Sequence, residues 1–198
     1  METKTLQVGS FEVNCTIIPR GDSAWIVDPG FEGDRIASVL DSLGLKPAAI
    51  LLTHGHFDHI GAIPELQKKY PDLPVWMHPA DMPALTHPLN RMDPFYPAIP
   101  MPRDIRDCRT LEGVTVIETP GHTPGGVCYH FPEDGLLLAG DTLFAGSVGR
   151  TDFPGGSLPV LRQSLEKLAA LPDATRVIPG HGPFTTIGDE KRGNPFLQ

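Results

Sequence analysis

The chain has 198 residues, of which 40% are apolar, so it is long enough to bury a substantial hydrophobic core. A formal net charge of −8 argues against a nucleic-acid-binding protein and against a protein that binds an anionic membrane surface. No apolar stretch approaches the length of a membrane span, and the N-terminus lacks the pattern of a signal peptide. The three cysteines show no metal-ligand spacing, so we expect reduced thiols in a cytoplasmic protein.

The first predicted elements are strands followed by a helix. The pattern predicts strands over 5–11, 13–20 and 24–30, the last of which ends in an Asp-Pro-Gly turn. Apolar residues at helical spacing predict a helix from Phe31 to Leu43, with Gly44 as its C-terminal cap. A continuous apolar strand over 48–54 is expected to be buried on both faces.

A helix from about Asp58 to Tyr70 and a short strand over 74–79 come next in the prediction. Residues 79–110 are Pro-rich and are predicted to be irregular, with one helix around 80–85. The remaining predicted elements are strands over 113–121, 125–132 and 134–141, a helix over 158–171 after Ser157 as N-cap, a strand over 175–182 and a short helix in the tail from 185. This order indicates an α/β fold, with one domain spanning 1–198.

Three histidines and an aspartate lie in the short segment HGHFDH, directly after the predicted buried strand. His54 and His56 are two residues apart in an extended segment, so they project to the same side and can bind one metal ion. Asp58 and His59 begin the next turn and point toward a second ion. A polar turn with chance histidines is the alternative, but the end of a buried strand is where α/β proteins place their chemistry.

Three further candidate ligands repeat the same context of strand, glycine and ligand. They are His122 in ETPGHTPGG, Asp141 in LLLAGDTLF and His181 in RVIPGHGPF. Either histidine alone would more often be a structural or surface residue, but the HGHFDH segment favours metal binding by all three.

Other polar and aromatic residues have less specific interpretations. Asp28 either caps a turn or supports a metal-binding histidine, and both interpretations stay open. Phe95 and Tyr96, in a Pro-rich loop, either pack in the core or cover a pocket. The remaining histidines are predicted not to bind metal; they are His78, His87 and His130.

At these motifs the sequence resembles the metallo-β-lactamase superfamily and, within it, the glyoxalase II-like hydrolases. The resemblance rests on THGHFDHIGA, TPGHTPGG, AGDTLFAGSVGRTDFPGG and PGHGPFTTIGDEKRGNPF. It implies a four-layer αβ/βα sandwich of two mixed β-sheets with helices on the outer faces. It also implies one ion bound by His54, His56 and His122, a second bound by Asp58, His59 and His181, and Asp141 bridging both.

The resemblance further implies hydrolysis of a small-molecule thioester, such as S-lactoylglutathione, by a metal-activated hydroxide. The two divalent ions would be Zn²⁺ by preference, although Fe or Mn also suits these ligands. Asp58 and Asp141 would orient the attacking water and accept its proton. Arg150 either binds a substrate carboxylate or pairs with Asp152 at the surface. Neither nucleic acid nor a membrane is an expected partner.

Three other functions compete with this interpretation. A persulfide dioxygenase shares the fold and a segment very similar to GRTDF, and would hold one iron ion through His56 or His54 with His122 and Asp141. A β-lactamase is disfavoured because no secretion signal is visible, and a non-catalytic module because it would not need an open two-metal cluster. The sequence ends soon after His181, so we expect the short branch without the helical domain that binds glutathione in larger glyoxalase II enzymes.

Overall fold

The computed structural model describes residues 2–88 and 98–198. Two compact units make up the chain, Met1–Cys108 and Arg109–Gln198, and each contains its own mixed β-sheet. Phe95 and Tyr96 lie outside the described residues, so both interpretations of that loop remain predictions.

The sheet of the first unit has six strands in sequential order: β1 (Lys4–Val8), β2 (Val13–Arg20), β3 (Ser23–Val27), β4 (Lys46–Leu51), β5 (Val75–Met77) and β6 (Ile105–Asp107). The first three are antiparallel, and β3 to β6 are parallel. Helix α1 (Gly33–Ser42) buries Ile36 and Leu40 in the same apolar core as Ile26 and Ile50. The carboxyl ends of parallel strands carry the loops in which α/β folds place their ligands.

The single helix predicted from Asp58 to Tyr70 is wrong, because two short helices occupy this segment, α2 (Phe57–Ile60) and α3 (Ile63–Lys69). Gly61 passes so close to the carbonyl oxygen of Gly30 that a Cβ atom would lie 2.2 Å from it. Pro64 has no N–H group and disfavours a helix interior, so it lies in the first turn of the new helix.

The described parts of the Pro-rich segment, residues 79–88 and 98–110, contain more regular structure than predicted. Residues Pro79–Thr86 form a 3-10 helix where an ordinary helix was expected, and Ile105–Asp107 form strand β6 within the segment predicted to be irregular. Three residues are too few for a period-2 pattern to be recognised, which explains why this strand was missed.

The sheet of the second unit has five strands in the order β13-β12-β9-β8-β7. They are β7 (Thr115–Glu118), β8 (Val127–Phe131), β9 (Leu136–Gly140), β12 (Arg176–Pro179) and β13 (Thr185–Thr186). Only the β9–β12 pair is parallel. A separate hairpin, which was not predicted, joins β10 (Leu143–Phe144) to β11 (Ser147–Val148).

Two helices complete the second unit. Helix α4 (Leu158–Ala169) buries Leu161, Leu165 and Leu168. Ser157 occupies its N-cap position, although its side chain makes no capping hydrogen bond. Helix α5 (Ile187–Gly193) begins after Thr186, whose hydroxyl accepts a hydrogen bond from the Asp189 backbone N–H at 3.1 Å.

The predicted α/β class, with two mixed sheets and helices, is confirmed. None of the helices in the described part of the chain is long and apolar enough to cross a membrane.

Candidate metal centre

The segment from His54 to His59, which follows β4 and runs into α2, brings the four ligands predicted in the first unit close together. The imidazole rings of His54 and His56 have their centroids 4.7 Å apart, and those of His54 and His59 are 4.1 Å apart. The Nε2 atom of His59 lies 3.8 Å from Oδ2 of Asp58. His54 and His59 are buried, whereas His56 and Asp58 are partly exposed.

Asp28 directly follows β3 and supports the start of this segment with both carboxylate oxygens. Oδ1 accepts a hydrogen bond from the Thr53 backbone N–H at 2.8 Å, and Oδ2 accepts one from the Thr53 hydroxyl at 2.7 Å. The same Oδ2 lies 3.1 Å from Nδ1 of His59. The Asp28 side chain therefore contacts a candidate metal-binding histidine, as the supporting interpretation requires.

These contacts also determine which nitrogen of His54 can bind a metal ion. The Thr53 hydroxyl uses its single proton on Asp28, so it accepts the proton of His54 Nδ1, 3.1 Å away. The lone pair of His54 then lies on Nε2. Orienting a ligand histidine through its other nitrogen is the usual way in which proteins prepare a metal site.

Asp81 gives a second support that sequence reasoning missed. It is fully buried in the 3-10 helix, and its Oδ2 accepts a hydrogen bond from the Gly55 backbone N–H at 2.9 Å. Gly55 separates His54 from His56, so the contact restrains the backbone between two ligands. No local pattern points to this pair, because the two residues are 26 positions apart in the sequence.

In the second unit, Asp141 lies between the two predicted histidine ligands. Its Oδ2 atom is 3.6 Å from Nε2 of His122 and 3.6 Å from Nε2 of His181. Asp141 follows β9 and His181 follows β12, and these strands are parallel neighbours. Their carboxyl ends therefore meet at one edge of the sheet, as the repeated strand-glycine-ligand context predicts.

The backbone of the loop after Asp141 orients His122. The Arg150 carbonyl oxygen accepts a hydrogen bond from His122 Nδ1 at 2.7 Å. A carbonyl can only accept, so Nδ1 carries the proton and Nε2, which faces Asp141, carries the lone pair. A Cβ atom on Gly149 would lie 1.8 Å from the Asp141 carbonyl oxygen, so only glycine allows this approach.

The Arg150 side chain pairs with Asp152, as the surface alternative predicts. Two hydrogen bonds of 2.7 Å join the guanidinium to the carboxylate, and the guanidinium carbon lies 3.9 Å from the centre of the Phe153 ring. These hydrogen bonds lower the pKa of the Asp152 carboxyl to about 2. Both side chains are exposed, so the pair adds little to stability.

The three histidines predicted not to bind metal have other environments. His78 caps the 3-10 helix, since its Nδ1 accepts a hydrogen bond from the Ala80 backbone N–H at 3.2 Å. His130 lies in β8, where burial lowers its pKa. Among the residues that the structure describes, neither these two nor His87 belongs to a cluster of closely spaced ligand atoms.

The donors in each unit fit a divalent ion. Imidazole nitrogens and carboxylate oxygens are ligands for Zn²⁺, Fe and Mn, and bind Zn²⁺ at about 2.0–2.2 Å. Two donors on one tetrahedral ion are then about 3.4 Å apart. The 3.6 Å separations around Asp141 are close to that value.

Comparison with known proteins shows that the chain is similar to many members of one family. The family model for the metallo-beta-lactamase superfamily matches residues 8–181. The chain is 38% identical to the probable metallo-hydrolase YqgX of Bacillus subtilis, over 100% of this chain and 98% of that protein. It is 35% identical to the hydroxyacylglutathione hydrolase GloC of Haemophilus influenzae, over 100% of this chain and 98% of that protein.

Solved structures show the same likeness. A di-iron-bound structure of TTHA1623 has a TM-score of 0.89 and 41% identity, covering 98% of this chain and 100% of its own. The B3 metallo-beta-lactamase BLEG-1 has a TM-score of 0.88 and 36% identity, covering 99% of both chains. ETHE1 from Myxococcus xanthus has a TM-score of 0.79 and 27% identity, covering 98% of this chain and 84% of its own. The chain therefore belongs to the metallo-beta-lactamase superfamily of metal-dependent hydrolases.

Proposed function

We propose that the chain is a dinuclear metal-dependent hydrolase for thioesters, and that its substrate is a glutathione thioester such as S-lactoylglutathione. The observation that carries this proposal is that the hydrogen bonds at Nδ1 of His54 and of His122 place the lone pair on Nε2, the nitrogen that would bind a metal ion. The likeness to the GloC hydrolase supports the choice of substrate.

In this proposal the seven candidate ligands would hold two divalent ions, of which Zn²⁺ is preferred. His54, His56 and His122 would hold one ion, Asp58, His59 and His181 would hold the other, and Asp141 would be a ligand of both. The family model spans both units, which supports a single functional domain over 1–198. The di-iron form of TTHA1623 supports the binding of two ions, so metal analysis should measure Fe as well as Zn²⁺.

The bound ions would polarise the substrate carbonyl and lower the pKa of water so that hydroxide forms near neutral pH. The chain's own residues would then position and deprotonate the attacking water. Asp58 and Asp141 are the proposed catalytic residues, because each carboxylate can orient the water and accept its proton. Asp28 and the Arg150 carbonyl would keep the neighbouring imidazoles in the ligand form during the reaction.

Arg150 is the proposed substrate-binding residue. Its guanidinium would bind a substrate carboxylate, in competition with the hydrogen bonds that it makes to Asp152. The exposure of this side chain supports access by a ligand. All three cysteines are buried and free, which is compatible with a reducing, cytoplasmic location.

A persulfide dioxygenase is the second candidate, because residues 149–153 read GRTDF and the ETHE1 structure is also similar. Two assays on the same purified protein, with its metal content measured anaerobically, separate the candidates. Hydrolysis of S-lactoylglutathione without oxygen consumption supports the thioesterase. Oxygen consumption with glutathione persulfide, one iron ion per chain and no thioester hydrolysis would refute it. A β-lactam substrate in the same assay tests a β-lactamase activity.

A further inference from the structure

The C-terminal helix α5 makes buried contacts that the hydrolysis proposed above does not use. Glu190 is 4% exposed and Asn194, directly after the helix, is 0% exposed. Both side chains face the hairpin of β10 and β11. Burial of a carboxylate and an amide destabilises a protein unless both groups are hydrogen-bonded, so each of these side chains needs several partners.

The Glu190 carboxylate accepts hydrogen bonds from three donor groups. Its Oε2 accepts from the Gly146 backbone N–H at 2.8 Å and from Asn194 Nδ2 at 2.7 Å. Its Oε1 accepts from the Thr185 hydroxyl at 2.6 Å. Gly146 is the turn residue of the hairpin and has a φ angle of +72°, so the carboxylate binds the hairpin at its tightest point.

Asn194 binds the two strands of the hairpin. Its Nδ2 group donates to the Ser147 carbonyl at 3.0 Å and lies 3.4 Å from the Phe144 carbonyl. Its own Oδ1 accepts from the Phe196 backbone N–H at 3.0 Å, which fixes the orientation of the amide. Together, Glu190 and Asn194 hold the backbone of Phe144–Ser147 through side-chain contacts alone.

The hairpin connects to all three candidate ligands of the second unit. It leaves directly after Asp141 and returns through Gly149 to Arg150, whose carbonyl orients His122. The Phe144 ring packs edge-on near the imidazole of His181, with 6.2 Å between the ring centroids. A shift of the hairpin would therefore displace the support of each ligand.

We infer that Glu190 and Asn194 are positioning residues, which act through the β10–β11 hairpin to hold Asp141, His122 and His181 in the geometry that binds metal. This inference rests on the metal binding proposed above but not on the choice of substrate. Partners hydrogen-bonded directly to a metal ligand change metal affinity by about 10- to 100-fold when they are removed, and Glu190 and Asn194 act one contact further away, so the lower end of that range is expected.

The test is the metal affinity of Glu190→Ala, measured by competition with a chelator for Zn²⁺ at a temperature where the variant is folded. We expect a loss of roughly tenfold or more. Glu190→Gln should recover most of the affinity, because its amide oxygen can still accept from Gly146 and Asn194. Asp189→Ala is the matched control, since it removes an exposed carboxylate from the same helix and should leave metal affinity unchanged.

A purely structural role gives a different result. Glu190→Ala would then lower the melting temperature while metal affinity and the absorption spectrum of the Co²⁺-loaded protein stayed as in the wild type. That outcome would overturn the inference. If Glu190→Ala does not fold, Asn194→Ala gives the milder test, with an expected loss of a few-fold, and an unchanged affinity there would overturn it equally. A protein that binds metal normally but hydrolyses no thioester refutes the proposed substrate and leaves this inference to the affinity data.

Discussion

The two units present their candidate ligands in opposite ways. The first unit places four of them in six consecutive residues after one strand, whereas the second unit takes three from three separate loops. The first set is supported by Asp28, which is anchored to the same loop through both oxygens. The second set depends on the hairpin after Asp141 and on contacts from the C-terminal helix. The compact segment is thus supported by two distant aspartates, Asp28 and Asp81, while the dispersed set depends on a network of backbone and side-chain contacts.

The largest expected effect comes from removing one ligand from the compact loop. Asp58→Ala should lower thioester hydrolysis at least about 100-fold, because it removes both a proposed ligand and the group proposed to accept a proton. The fold should persist, since Asp28 holds Thr53 without Asp58. Steady-state kinetics and circular dichroism measure the two outcomes. Asp72→Ala, which removes an exposed carboxylate from the same unit, is the control.

The dispersed set should be broken by a single methyl group. Gly149→Ala places a Cβ atom 1.8 Å from the Asp141 carbonyl oxygen, so the backbone beside two ligands must move. We expect metal affinity to fall roughly tenfold or more. Gly193→Ala is the control, because a Cβ atom there has no neighbour within 4 Å. Equal affinities of the two variants, measured by chelator competition, would show that this approach does not matter for metal binding.

Asp28→Asn should sharpen the comparison, because it weakens the support of the compact loop while keeping its size. Asparagine can accept from the Thr53 backbone N–H, but its amide nitrogen cannot accept from the hydroxyl. We expect metal affinity to fall about 10-fold and the free energy of unfolding to fall by about 1–3 kcal/mol. Asp41→Asn, at an exposed position, should change neither. Wild-type metal affinity in Asp28→Asn would leave Asp28 with a role in folding alone.

The last expected effect concerns the Arg150 side chain and is confined to substrate binding. Arg150→Ala should raise KM about 10-fold for a substrate that carries a carboxylate, the effect of one charged hydrogen bond. KM for a neutral thioester should stay the same, as should the metal content, because the carbonyl that orients His122 is retained. If both substrates respond alike, Arg150 has only the surface pair with Asp152.

Sequence reasoning recovered the compact loop better than its support. The HGHFDH segment is visible because its ligands are local, and the strands before Asp141 and His181 are visible as apolar runs. The roles of Asp81, Glu190 and Asn194 were not predicted, because each depends on a partner 26 to 47 residues away. Strands β6, β10, β11 and β13 were missed because two or three residues carry no readable period.

The number of divalent ions per chain tests the central claim most directly. The purified protein would be loaded with excess Zn²⁺ or Fe²⁺ under anaerobic conditions, dialysed and analysed for metal and protein, with Asp58→Ala and His181→Ala in parallel. The account predicts close to two ions per wild-type chain and close to one in each variant. A wild-type chain that saturates at one ion, with both variants holding the same amount, would contradict it.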